Sequence, residues 1–255
     1  MWRLSLFDPF FQMIDASPAA YAACSAALVV ASATHRITGQ AFGLVLAPLV
    51  AIAAPSHVPA LVLLCGLPVM IYSFKGDWAT IQWREISYAF AGRVVGSIAA
   101  AAFVAGFADE ATIGVSVGVC VLIGVGLSLT RLRVAVSPLS LTVAGTLSGG
   151  MATLTSVGAP PMGLLYQNEA FHRARSTLNA FFLFGALASV GALAVYGLIA
   201  TSDIAFAAAL MPSMAVGVLI GDAALARLRI ATLRPFVLAV SVSAAVFLIF
   251  RSVAA

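Results

Sequence analysis

Two short polar stretches hold most of the side chains that could bind a ligand in an otherwise apolar chain. The first is Thr34-His35-Arg36-Ile37-Thr38-Gly39-Gln40, and the second is Thr153-Leu154-Thr155-Ser156-Val157-Gly158-Ala159-Pro160-Pro161. Their residue types suit one kind of chemistry, the holding of an oxyanion. A guanidinium presents a planar fork of donors that matches two anionic oxygens, and Arg36 supplies one. Thr38, Gln40, Thr155 and Ser156 offer further donors. Gly39 and Gly158 mark helix restarts whose free N–H groups and positive dipole ends point at an anion. Pro160 and Pro161 fit a first helical turn, where a missing N–H costs little. His35 can titrate and so couple the site to protons, or serve as a hydrogen-bonded structural residue. Arg36 has its own alternative, a snorkelling position at the end of a fully crossing helix. Gln167, Asn168 and Asn179 lie near the mouth of the second stretch, on an anion path or in structural roles.

Stepping outward, the elements that carry these residues belong to a membrane. Of 255 residues, 62% are hydrophobic and only 9% charged, against roughly 25% charged in a soluble domain. Apolar runs fall at about 17–34, 42–55, 57–74, 87–107, 112–129, 137–152, 158–167, 176–200, 204–226 and 233–250. The runs are continuous rather than alternating, which favours helices over an outer-membrane barrel. Runs 42–55 and 158–167 are too short to cross a ~30 Å hydrocarbon core. Each follows a polar stretch, so each pairs with the run before it as a helical hairpin whose turn lies inside the membrane. Open backbone at that depth is tolerated where it lines a cavity, and two such breaks in matching places mark the site of a secondary transporter.

Charge sets the orientation. Lys75, Arg84, Arg131, Arg133, Arg173, Arg175, Arg227, Arg229 and Arg234 account for nine of the 13 Lys and Arg, whereas Asp109, Glu110 and Asp203 lie in loops without a basic residue. By the positive-inside rule the nine are cytoplasmic. Segments 57–74 and 176–200 then run in opposite directions. The expected fold is an all-α polytopic membrane protein of two inverted repeats, each a broken-helix hairpin plus three transmembrane helices. Residues 1–130 form the first repeat: a short N-terminal interfacial segment, hairpin 17–55, and helices 57–74, 87–107 and 112–129. Residues 131–255 form the second: hairpin 137–167, and helices 176–200, 204–226 and 233–250. Gly92 and Gly96 in one repeat match Gly217 and Gly221 in the other, as small-residue pairs for close helix packing.

Other classes are disfavoured. There is no nucleophile–base pair for an enzyme, no metal-ligand spacing, and no basic face with interleaved aromatics for nucleic acid. Cys24, Cys65 and Cys120 read as buried small hydrophobes. Arg93 and Asp222 read as a structural ion pair or as snorkelling residues near basic loops, and His57 and His172 as loop residues. No cofactor is expected.

Thr146-Leu-Ser-Gly-Gly150, the Gly158-Ala-Pro-Pro161 turn, Leu164-Leu-Tyr166 and Arg175-Ser-Thr-Leu-Asn-Ala-Phe-Phe182 resemble the second-half signature of the sulfite exporter TauE/SafE family, within the 4-toluene sulfonate uptake permease group. The first half is similar more loosely, through Gly39-Gln-Ala-Phe-Gly-Leu-Val-Leu-Ala-Pro48 and Asp77-Trp78. Where such proteins carry a Gly-rich first break, this chain has Arg36, Thr38 and Gln40. The resemblance implies a multi-pass transporter of the bacterial inner membrane for sulfite, sulfoacetate or a related C2 sulfonate; two halves meeting at their hairpin tips suit alternating access, and a potential negative inside, with the family name, favours export. An anion channel, an uptake permease for sulfonates and a non-transporting membrane subunit are the competing expectations. The expected partners are the small anion, the lipid bilayer and a second copy in a homodimer.

Overall fold

The computed structural model describes residues 8–74, 78–107, 110–129, 134–225 and 246. Ten α-helices run through them, with two single 3₁₀ turns and no strand among the described residues: α1 Asp8–Met13, α2 Pro18–Thr38, α3 Phe42–Ala53, α4 Ala60–Ser73, α5 Trp83–Phe107, α6 Glu110–Leu129, α7 Pro138–Thr155, α8 Ala159–Tyr166, α9 Phe171–Val195 and α10 Thr201–Leu225. Three stretches, Trp83–Phe107, Phe171–Val195 and Thr201–Ala224, are long and apolar enough to cross a membrane. The expected last helix, 233–250, lies outside the described residues apart from Val246, as do Lys75, Asp77, Arg131, Arg133, Arg227, Arg229 and Arg234.

Both helical hairpins are present, and both begin alike. Ser17 caps α2 by accepting from the Ala20 N–H at 3.1 Å, and Pro18 follows it. Ser137 caps α7 by accepting from the Ser140 N–H at 3.2 Å, and Pro138 follows it. A Ser cap satisfies a free amide while Pro at the first position lacks one to satisfy. The turns are narrower than the polar stretches suggest. Thr34, His35, Arg36 and Thr38 are helical, so α2 continues past the expected residue 34 and the chain opens only over residues 39–41. The second opening is residues 156–158. Polar residues inside a packed helix bond back to their own turn. Thr34 Oγ1 donates to Val30 O at 2.8 Å, which removes the reason for the helix to stop there. The expected helix 57–74 is shorter at its start. Pro55–His57 forms a 3₁₀ turn and α4 begins at Ala60.

Hydrophobic packing groups around each hairpin. One cluster joins Leu28, Leu46, Val50, Leu61 and Phe206 around α2 and α3, and another joins Leu141, Met162, Tyr166 and Phe181 around α7 and α8. The helices that brace the long hairpin arms are set very close. A Cβ at Gly92 or Gly96 of α5 would lie 2.1 Å from Thr142 O or Thr146 O of α7, and one at Gly217 of α10 would lie 2.4 Å from Val29 O of α2. Only glycine permits backbones to touch like this, and in a membrane such contact is the main source of helix association. Helix α6 spans the two hairpins, since a Cβ at Gly124 would meet both Pro160 and Leu44. Large apolar side chains such as Phe107, Leu139 and Val195 face outward, as lipid contact requires. The three cysteines are buried and unpaired.

Candidate functional site

The two openings share one backbone design. α2 ends at Thr38 with Gly39 in the left-handed region (φ 80°, ψ 0°), and α7 ends at Thr155 with Ser156 there (φ 63°, ψ 8°). In each, the left-handed residue donates its N–H to the carbonyl four residues back, Gly39 to His35 O and Ser156 to Ala152 O, both at 2.7 Å. In each, the preceding threonine links carbonyl and amide. Thr38 Oγ1 donates to Thr34 O at 2.9 Å and accepts from Gln40 N at 3.4 Å. Thr155 Oγ1 donates to Met151 O at 2.7 Å and accepts from Val157 N at 3.3 Å. Thus Thr38, Gly39 and Thr155 shape the openings by bonding to backbone.

The openings also touch. A Cβ on Gly43, in the first turn of α3, would lie 1.8 Å from Ser156 O. Between them is a cavity of about 30 Å³ lined by His35, Gln40, Phe42 and Gly43 from the first hairpin and by Ala152, Ser156, Gly158 and Ala159 from the second, with Arg93 of α5 and apolar walls from Leu63, Met70 and Phe182. One water needs roughly 10–15 Å³ by this measure, so the space suits an ion of a few heavy atoms. Of the sequence-derived candidates, His35, Gln40, Ser156 and Gly158 come together here.

Arg93 is the residue that sequence reading placed elsewhere. It was expected within two turns of a basic loop, but α5 starts at Trp83, four residues before the apolar run, which sets Arg93 roughly 15 Å along the helix. It is 2% exposed. Nη1 donates to Ser148 Oγ at 2.6 Å and to Ser148 O at 3.2 Å, and the guanidinium lies 5.3 Å from the Phe181 ring centroid. Ser148 Oγ in turn donates to Gly158 O at 2.5 Å, which fixes the start of α8. Nε has no partner, and no carboxylate faces this arginine among the described residues. A buried cation without a counter-ion is costly. The site is therefore built with spare positive charge.

Arg36 and Asp222, by contrast, neutralise each other. Arg36 Nη2 and Nε both donate to Asp222 Oδ1, Nε at 2.8 Å, and the Tyr72 hydroxyl donates to Asp222 Oδ2 at 2.9 Å. Asp222 therefore pairs with Arg36, not with Arg93. Arg175 Nη2 donates to Arg36 O at 2.8 Å, a cation at the C-terminal end of α2 where the helix dipole favours one. Asn179 is buried beside Gly39, which could not carry a Cβ without meeting its Oδ1 at 3.3 Å. Gln167 and Asn168 are exposed past the end of α8 and do not line the cavity.

The helix N-termini contribute unequally. α3 opens with Phe42, Gly43 and Leu44, all able to donate, whereas Pro160 and Pro161 remove two amides from the first turn of α8. The second side keeps its dipole but lends few donors, and Arg93 stands on that side in their place.

Two broken-helix hairpins thus meet at a cavity that Arg93 lines, and a family model says to which family such a chain belongs. The model described as sulfite exporter TauE/SafE matches residues 24–248. The chain belongs to the sulfite exporter TauE/SafE family. As a TauE/SafE protein it is a membrane transporter for sulfur-containing anions, which sets it apart from enzymes. Nothing matches it among curated proteins or solved structures.

Proposed function

We propose that this TauE/SafE protein exports a small sulfur oxyanion, sulfite or a compact C1–C2 sulfonate, across the bacterial inner membrane, with Arg93 as the charge that holds it. The carrying observation is the buried guanidinium beside Gly158 that no carboxylate among the described residues neutralises. Amides at the start of α3, the Gln40 amide and His35 complete the donor set around the cavity. Thr38, Gly39 and Thr155 bond to the backbone of the openings, Arg36 pairs with Asp222, Asn179 packs beside Gly39, and Gln167 and Asn168 lie past the end of α8.

The two halves are inverted repeats in this reading. Matching Ser-Pro starts, Thr-capped openings and Gly-set braces support it, with α5 bracing α7 and α10 bracing α2. Rearrangement of the halves about the shared cavity gives alternating access. A potential negative inside favours outward movement of an anion by about 2.3 kcal/mol per charge per 100 mV, so export needs no coupled ion.

The test is anion binding to detergent-purified protein by calorimetry, using sulfite, sulfoacetate, taurine and sulfate, with Arg93→Gln and Arg36→Ala alongside. Loss of tens- to hundredfold in affinity is expected for Arg93→Gln, from charged hydrogen bonds worth about 1.5–3 kcal/mol. Arg36→Ala is expected to bind nearly as well as the wild type. The reverse pattern would move the charge to the first hairpin and overturn the assignment.

A further inference from the structure

We infer that His35 selects the protonation state of the cargo, so that the site prefers a small oxyanion still carrying one proton to a fully ionised anion of similar size. The inference rests on reading the cavity as an anion site. His35 is wholly buried, lines the cavity, and has no hydrogen-bond partner among the described residues on either ring nitrogen. Its ring stands edge-on to Phe42, with centroids 6.1 Å apart at 87°. Buried polar atoms in native proteins have partners, and an orphan calls for one that is absent from the chain itself.

The donor inventory shows what that partner must offer. Arg93 only donates, and so do the amides at the start of α3. Ser156 Oγ has its proton on Pro59 O at 3.0 Å. The Gln40 carbonyl oxygen faces Gly163, where a Cβ would come within 2.9 Å of it. Ser156 Oγ is left as a hydroxyl acceptor, and the imidazole adds a more basic nitrogen acceptor that no group among the described residues uses. An imidazolium there would carry two N–H groups that no partner among the described residues receives, in a cavity already holding the Arg93 charge. A neutral ring presents one N–H and one bare nitrogen. A fully ionised sulfonate or sulfate satisfies the N–H but sets an anionic oxygen against the bare nitrogen's lone pair. The hydroxyl form of hydrogen sulfite satisfies both, giving its proton to the nitrogen and taking the N–H on an oxygen. Its single negative charge also matches Arg93, the one arginine or lysine lining the cavity among the described residues. The charged groups around His35 are Arg36 on its own helix, paired to Asp222 of α10, Arg175 on α9 and Arg93 on α5.

Binding to the full-length purified chain tests this with sulfite and methanesulfonate, measured from mildly acid to mildly alkaline pH. Methanesulfonate has the same charge as hydrogen sulfite and no proton at any pH used, so it reports the protein's own titration. The ratio of the two affinities then isolates the ligand's proton. Sulfite is expected to bind roughly tenfold tighter at the acid end, the worth of one further buried hydrogen bond, with the ratio shrinking as it loses its proton. In His35→Leu the ratio is expected to fall towards one, with methanesulfonate weakened by the single N–H bond it loses and sulfite by two. If His35→Leu does not fold, His35→Asn, which keeps one donor and one acceptor, is expected to retain part of the preference. A ratio that is flat with pH, or unchanged in the leucine variant, overturns the role of His35. Failure of every anion to bind the wild type, or binding that persists in Arg93→Gln, instead sinks the underlying assignment of the cavity.

Discussion

The same turn is set in two very different surroundings. Three residues before left-handed Gly39 stands Arg36, and three before left-handed Ser156 stands Thr153. Arg36 meets Asp222, the residue after Gly221, with Tyr72 as the third member. Thr153 Oγ1 donates to Ser189 Oγ at 2.8 Å, and Ser97, the residue after Gly96, reaches that same Ser189 at 3.2 Å. One ring is charged and half open, with side-chain exposures of 13% for Arg36 and 30% for Asp222. The other is neutral and wholly buried. The backbone device fixes where the chain opens, while the ring around it decides whether that turn is braced by a partly exposed ion pair or by buried hydroxyls.

The largest effect should come from forcing the two turns apart. In Gly43→Ala the new methyl would fall 1.8 Å from Ser156 O and 2.9 Å from Ser156 C. Neither is the end of a flexible side chain, so the hairpins must separate. The cost is expected at the top of the 1–3 kcal/mol range for overpacking, or beyond it, and anion binding should be lost with it. Thermal unfolding in detergent measures the first and calorimetry the second. A variant as stable as the wild type would mean the hairpins do not meet.

Next in size are the rings. Asp222→Asn leaves Arg36 without its counter-charge, and is expected to destabilise by about 1–2 kcal/mol, less than the 3–5 of a fully buried pair because this one is partly exposed. Ser189→Ala strands two buried hydroxyls and is expected to cost about 1–2 kcal/mol. Salt separates them. Raising ionic strength should narrow the gap between Asp222→Asn and wild type, and leave that of Ser189→Ala unchanged. Equal salt responses would erase the distinction between a charged, partly exposed ring and a neutral, buried one.

A third polar cluster, away from both rings, answers to pH. His57 is 2% exposed in the turn before α4; its Nδ1 lies 2.6 Å from Asp203 Oδ1 and its Nε2 3.1 Å from Asp15 O. Burial alone would lower its pKa, but the Asp203 hydrogen bond, the Asp15 carbonyl and the charges of Asp203 and Asp15 together raise it above the ordinary value of 6.5. A group whose folded pKa is raised stabilises fully below its unfolded pKa, and loses that stabilisation as pH climbs through the folded one. The stability gap between wild type and His57→Gln should be widest in mild acid and close as pH rises past neutrality. A gap that widens with pH would contradict the cluster's charge.

Much of this was legible in the residues. Gly39 and the Gly158-Ala-Pro-Pro turn announced both openings, and the short runs after them announced hairpins. The Ser-Pro starts at residues 17 and 137, and the Thr before each left-handed residue, are visible in the sequence and pair the hairpins more tightly than the glycines do. Arg93 was harder to place. A lone arginine gives no sign of its depth until the helix start is known, and Trp83-Arg-Glu reads as a loop end although it is helix. The pairing of Arg36 with Asp222 joins residues 186 positions apart, a contact that no local pattern carries. For the same reason His57 looked like a loop residue: its partner is supplied by α10.

The smallest predicted effect is the sharpest test of whether the two turns are alike. Gly39 takes φ 80° without cost, and a Cβ there would meet Arg175 Cγ at 3.0 Å, so Gly39→Ala should destabilise by about 1–2 kcal/mol from the left-handed backbone together with the crowding. Ser156 already bears that backbone cost at φ 63°. Ser156→Gly relieves about 1 kcal/mol of it and gives up the hydrogen bond to Pro59 O, worth about as much. The two contributions nearly cancel, and the change should lie within about half a kcal/mol of zero. A clear loss would mean that the Ser156–Pro59 bond, which ties the second opening to the turn before α4, outweighs the strain it accompanies. A clear gain would mean that the serine is kept for what it does in the cavity, at a cost to the fold that Gly39 never incurs.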